Sequence, residues 1–236
     1  MTAKEFIKDF EVLIFDMGKT IMFGGDRFDK EQNYEASYKK YGGKTLTNKE
    51  LHEIIYYIYG TLLARSRTQE YLDNMITVKQ FIESDSYFVK YSKDDKVILE
   101  KVFAHHECGV VPQECKDTLK ELSEYYKLGL ISNVWCESIY FKNKLKDEEI
   151  YDLFEIAVFS ADYNIAKPSQ KLFQMAIDHF NKPSHEIVYI GDNYKRDVVG
   201  SKNAGMKSIL VQNSESSNIT GQVKPDYIIN SITELI

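Results

Sequence analysis

Asp16 follows the apolar run VLIF at 12–15 and precedes Met17, Gly18, Lys19 and Thr20. Ser132 and Asn133 follow a second apolar run at 128–131. Lys167 precedes Pro168, and Asp192 and Asp197 stand five residues apart behind Gly191. These residue types complement one another chemically. A carboxylate can act as a nucleophile and a hydroxyl can donate to a phosphate oxygen. An ammonium is a fixed cation, and paired carboxylates are hard oxygen ligands for Mg²⁺. Each position also has an ordinary structural reading. A strand-end Asp often shapes a turn. Lys167, held extended before a proline, can be a solvated charge. Asp192 can cap a helix, Asp197 can favour its dipole, and Ser132 can be a satisfied buried hydroxyl. Chemistry requires a fold that gathers them.

A parallel sheet would do so. VLIF is apolar throughout and bounded by Glu11 and Asp16, which suits a central strand buried on both faces. Further strands are predicted at 128–131, 156–159, 187–190, 208–211 and 226–229. Helical segments separate them: one after Pro112 carrying Leu119 and Leu122, then 137–146, 169–180 and 195–204. Strands alternating with helices imply βαβ units and right-handed crossovers. Ligands of such sheets collect at the carboxyl ends of the strands, where all the residues above stand. The stretch from 28 to 107 differs, being charged, tyrosine-rich and helical in spacing. Leu51, Ile54, Ile55, Ile58 and Leu62 form one stripe, and Ile98, Leu99, Val102 and Phe103 another. Thr47 with Glu50 and Thr77 with Gln80 are capping-box pairs, and Ser92 with Asp95 is a weaker one. About four helices and no strand are predicted there. The expected organisation is a core of residues 1–24 and 109–236 interrupted by a helical insert, 25–108. Gly24 and Gly25 read as a turn and a candidate hinge, and 213–222 as a polar loop.

The segments around Asp16, Ser132, Lys167 and Asp192, in this order, resemble the haloacid dehalogenase-like superfamily, mostly phosphohydrolases that use Mg²⁺. The run from Tyr189 through Gly191, Asp192, Asp197 and Gly200 to Ile209 looks like the family's fourth motif and its following helix. The resemblance implies an α/β fold: a Rossmann-like three-layer core with a parallel sheet, plus an all-helical cap closing over the site. It implies that Asp16 attacks phosphorus and forms an aspartyl-phosphate. Ser132 and the amide of Asn133 would hold phosphoryl oxygens, and Lys167 would neutralise charge. Asp192 would ligate Mg²⁺ with Asp16 and the Gly18 carbonyl, and Asp197 would orient Lys167 or a metal-bound water. A phosphoryl group and several carboxylates repel one another, so such a site needs both cations.

One position departs from the family. Its phosphatases usually carry a second aspartate two residues after the nucleophile, as general acid and base. Here Gly18 stands there, and glycine transfers no proton. Such help is typically worth ~10²–10⁴-fold. Three readings of Gly18 compete: a preference for good leaving groups, a replacement acid from the cap such as His105 or His106, or a slow or inactive ligand-binding relative. Lys19 replaces a usual small residue, and its ammonium either helps bind phosphate or faces solvent. Asn164 stands where glycine is common, and Asn tolerates the left-handed conformation.

The 236 residues are 43% hydrophobic and 28% charged, which suits a globular chain and excludes a disordered one. The net charge of −6 argues against nucleic acid as a partner. The longest apolar stretch, 54–64, is too short to cross a bilayer, and no signal-peptide core follows Met1. Three cysteines without metal spacing, Cys108, Cys115 and Cys136, read as reduced thiols of a cytoplasmic protein. The expected function is Mg²⁺-dependent hydrolysis of a small phosphorylated metabolite. The alternatives are a non-catalytic phospholigand-binding protein and a 2-haloacid dehalogenase.

Overall fold

VLIF forms β1 (Val12–Phe15), and all four of its side chains are buried, because the strand lies inside a sheet covered on both faces. The computed structural model describes residues 1–212 and 219–236. Most of the polar loop read at 213–222, residues 213–218, therefore lies outside the described residues. A short helix, α1 (Ala3–Ile7), precedes β1 and is closed by a Thr2–Glu5 capping box. Five helices then follow: α2 (Tyr34–Lys40), α3 (Asn48–Arg65), α4 (Gln69–Asp73), α5 (Val78–Ser84) and α6 (Lys93–Glu107). The rest of the chain alternates. It runs α7 (Gln113–Ser123), β2 (Lys127–Ser132), α8 (Ser138–Asp147), β3 (Phe154–Phe159), α9 (Ser160–Tyr163) and α10 (Gln170–Phe180). After these come β4 (Ile187–Gly191), a π-helical turn at Tyr194–Val199, α11 (Gly200–Asn203), β5 (Lys207–Val211) and β6 (Tyr227–Ile229).

The sheet order is β3-β2-β1-β4-β5-β6, with every pairing parallel. β1 takes partners on both sides: Val12 pairs with Lys127 of β2 and with Ile187 of β4. The α/β reading holds, and the carboxyl ends of β1, β2 and β4 form one rim. The helical insert leaves the core just after β1 and returns before α7. Its two linkers are hydrogen-bonded to each other. Phe23 and Val110 exchange both backbone bonds at 2.8 Å, and Arg27 N donates to His106 O at 2.9 Å. Gly24 has φ +63°, and a Cβ at Gly25 would stand 2.5 Å from the Glu107 carbonyl. The glycine pair is thus the consequence of two linkers in contact.

Within the insert, α3 buries Leu51, Ile54, Ile55, Ile58 and Leu62, the stripe read from spacing, and Thr47 and Thr77 cap as expected. Three sequence expectations change. There are five helices in the insert, because α4 has only five residues, capped by Thr68, and shows no periodicity. The helix read at 195–204 is a π turn followed by α11; Val198 N reaches back to Asn193 O, five residues away. β3 begins at Phe154 rather than 156, since a register shift at Leu128/Gly129 of β2 lets the earlier residues pair.

Candidate active site

Lys167 joins the parts of the rim. Its Nζ donates to Asp16 Oδ1 at 2.7 Å, to Asp197 Oδ1 at 2.8 Å and to the Tyr189 hydroxyl at 2.7 Å. An ammonium has three protons, and each has an acceptor. The Tyr189 hydroxyl donates onward to the Ile131 carbonyl at 3.0 Å, tying β4 to β2. Asp16 stands just past β1, and its N–H extends the ladder by bonding Ile190 O at 2.8 Å. Asp197 reaches the same point because the π turn swings it back: its Oδ2 accepts from Asn193 N at 2.8 Å. Lys167 is 2% exposed and Asp197 1%, so these charges sit almost without water.

Asn133 does more than its backbone amide suggested. Its Oδ1 accepts from Lys167 N at 2.8 Å and its Nδ2 donates to Lys167 O at 3.2 Å, a reciprocal pair that fixes the backbone under the ammonium. Ser132 is buried at the end of β2. Asn164 adopts φ +54°, the left-handed conformation that Asn tolerates. Tyr189 was not a candidate from sequence. The available signal was a phenol inside an otherwise aliphatic buried strand, where its hydroxyl must find partners.

Three carboxylates face one ammonium. Oxygen atoms of Asp16, Asp192 and Asp197 lie within 4.8 Å of one another. Burial, then the charges of Asp16 and Asp197, pushes Asp192 up to about 8. Burial also raises Asp16 against the pull of Lys167. Burial would depress the Lys167 ammonium, but the Asp16 and Asp197 charges outweigh it and hold its pKa above the usual lysine value. Three buried carboxylates so close together set hard oxygens around one point, and a divalent cation fits them. Asp197 commits both oxygens to Lys167 and Asn193, which leaves Asp16 and Asp192 as candidate ligands. Among the described residues no backbone N–H bonds the Gly18 carbonyl.

Above the cluster, between core and insert, lies a cavity of about 780 Å³. Lys167 and Asn133 line it, with Tyr59, Tyr71 and Trp135 as aromatic wall and Arg67 and Arg196 as cations.

Residues 13–211 match the family described as haloacid dehalogenase-like hydrolase. The chain belongs to this family. It is 25% identical over 146 residues to a glyceraldehyde 3-phosphate phosphatase of Methanocaldococcus jannaschii. That match covers 61% of this chain and 64% of the relative, so the chain spans under two thirds of the relative's length. A HAD phosphatase from Thermococcus onnurineus has the same fold, with a TM-score of 0.63 at 24% identity and 95% of both chains covered. So does a 2-haloacid dehalogenase from Pseudomonas syringae, with a TM-score of 0.66 at 19% identity and 96% of both chains covered.

Packing does not demand the glycine at position 18. Its φ is not positive, and a Cβ there would meet nothing within 4 Å. Lys19 beside it is left-handed, with φ +59°. The two histidines offered as replacement acids do not reach the cavity. His106 is buried inside the insert with its Nε2 3.1 Å from Ser37 Oγ, and burial pushes it down to about 4. His105 Nδ1 faces the Tyr41 hydroxyl at 3.4 Å. Arg27 is also structural, donating to the carbonyls of His105 and Cys108 near the end of α6.

Glu107 ends α6 and clamps the insert to the loop after β2. Its Oε1 accepts from Trp135 N at 2.6 Å and its Oε2 from Cys136 N at 3.0 Å. Burial first, then the Asp26 charge, pushes its pKa from 4.5 up to about 8. Between those values the folded chain holds a proton that the unfolded chain has released. Stability therefore falls as pH rises through that window. Glu107→Gln is expected to flatten this decline in urea unfolding at pH values on either side of the window. Equal slopes for both proteins would show that Glu107 is ionised in the folded state throughout.

Proposed function

We propose that this chain is a Mg²⁺-dependent phosphohydrolase of small phosphorylated metabolites, working through an aspartyl-phosphate on Asp16. The observation that carries this reading is the buried Lys167 bound at once to Asp16 and Asp197, with Asp192 close by. An Asp fixed by a lysine at a strand end is a positioned nucleophile, and three carboxylates within reach of one another suit a metal. The phosphatase named among its relatives agrees with phosphoryl chemistry.

Asp16 attacks phosphorus, the bond to the leaving oxygen breaks, and water later cleaves the acyl phosphate. Lys167 cancels charge on Asp16 and on the incoming phosphoryl group. Ser132 and the Asn133 backbone amide hold phosphoryl oxygens at the end of β2. Asp197 and Tyr189 keep the lysine aimed, and Lys19 stands beside the nucleophile loop as a supporting cation. Asp16, Asp192 and the Gly18 carbonyl would hold Mg²⁺, which when bound neutralises phosphoryl charge. Residues 25–108 act as the cap over a core of 1–24 and 109–236, hinged at the paired linkers. The three cysteines are unpaired, consistent with the reducing cytoplasm.

The test is hydrolysis of p-nitrophenyl phosphate and acetyl phosphate in Mg²⁺ and in EDTA, with acid quenching to trap a phosphoenzyme. Activity that needs Mg²⁺, with label retained on the protein, is expected. Metal-independent chloride release from a 2-haloacid, or no turnover at all, would overturn the reading.

A further inference from the structure

The cavity over Lys167 holds an acid that none of the motifs pointed to. Asp26 follows Gly24 and Gly25 and opens the insert. Its φ is +52°, a left-handed conformation that non-glycine residues keep only when their surroundings impose it. The surroundings here do so. Asp26 N donates to the Glu107 carbonyl at 3.3 Å, and Asp26 O accepts from Phe28 N at 3.0 Å. Gly25 leaves no room for a side chain against Glu107, so the turn is fixed on both sides of Asp26. The fixed turn sets Asp26 in the wall of the cavity that Lys167 and Asn133 also line. Among the described residues no hydrogen bond ends on its carboxylate, which is thus uncommitted.

We propose that Asp26 donates the proton to the leaving oxygen, in place of the carboxylate missing at Gly18. This rests on Asp16 being the nucleophile. As the phosphorus–oxygen bond breaks, its electron pair stays on the leaving oxygen and takes the proton from the Asp26 carboxyl. When water then attacks the aspartyl-phosphate, the Asp16 oxygen leaves phosphorus and the water proton returns to Asp26. The electrostatic setting suits the role. Asp26 is exposed, so its carboxyl is open to the cavity; the protein packed around it raises its pKa, while Arg196 and Lys19 pull it down without cancelling the rise. Glu107 and Tyr59 also sense its charge. Glu107, the other carboxyl group lining the cavity, is unsuited, because both of its oxygens accept backbone N–H groups.

The test compares Asp26→Asn with the parent on two substrates, reading kcat/KM, which covers only the first chemical step. An alkyl monoester such as glycerol phosphate has a leaving group that needs the proton, and p-nitrophenyl phosphate has one that does not. Asp26→Asn is expected to lose ~10²–10⁴-fold on the alkyl ester and little on the aryl ester. Gly18→Asp, whose Cβ would meet nothing within 4 Å, is expected to restore the alkyl activity of Asp26→Asn. Equal losses on both substrates, no loss on either, or a parent that cleaves only the aryl ester would each overturn the proposal. A parent inactive on both substrates would overturn the nucleophile reading beneath it.

Discussion

A Lys167→Met protein will be inactive and less stable by about 3–5 kcal/mol, the usual cost of removing one partner of a buried ion pair. The side chains are similar in length, so the loss is one of charge and not of volume. Lys167 is 2% exposed and supplies a hydrogen bond to each of Asp16, Asp197 and Tyr189. Without it two buried carboxylates and a phenol oxygen lose their common donor. The penalty is expected to shrink as pH falls, because protonation relieves the stranded carboxylates. Urea unfolding of both proteins across a range of pH measures this. A Lys167→Met protein as stable as the parent at neutral pH would show that the carboxylates do not depend on the ammonium.

Asp16→Asn is expected to behave oppositely in stability and alike in activity. It removes one of three crowded carboxylates, while Lys167 keeps Asp197 and Tyr189 as acceptors. Its melting temperature should match or exceed that of the parent. Its turnover of p-nitrophenyl phosphate should fall on the order of a thousandfold or more, as when a nucleophile is removed from a site that acts as a unit. No labelled phosphoenzyme should form. A variant that still turns over would exclude Asp16 as the nucleophile.

Which polar residues meet on one rim was legible because most of them follow an apolar strand, and strand ends lie side by side in a parallel sheet. Asp16, Ser132, Asn133, Asp192 and Asp197 were legible for that reason. Tyr189 was not, because spacing marks it only as a buried strand position and says nothing of what its hydroxyl meets. The π turn escaped because ten residues are too few to separate a widened turn from an α-helix. Asp26 lay beyond reach for a different reason. Its placement depends on a left-handed backbone and on contact between linkers far apart in sequence. His105 and His106 were misplaced because neighbourhood along the chain does not say which way a helix face turns, and theirs turns into the insert.

The position of β1 also has a consequence for how the protein is made. Val12 waits for Lys127 and Ile187 before its strand has either neighbour. At about 5–20 residues per second of synthesis, the first of these arrives on the order of ten seconds later. Helices α2–α6 rely on nearby sequence and can form within microseconds of emerging. Until residue 127 is made the nascent chain therefore carries a bare apolar strand, and from residue 107 it carries a finished helical bundle as well. Glu11 and Asp16 flank that strand with charge, the arrangement that discourages it from pairing with other chains. The same aspartate that would attack phosphorus in the finished protein would guard the strand before there is a sheet to place it in.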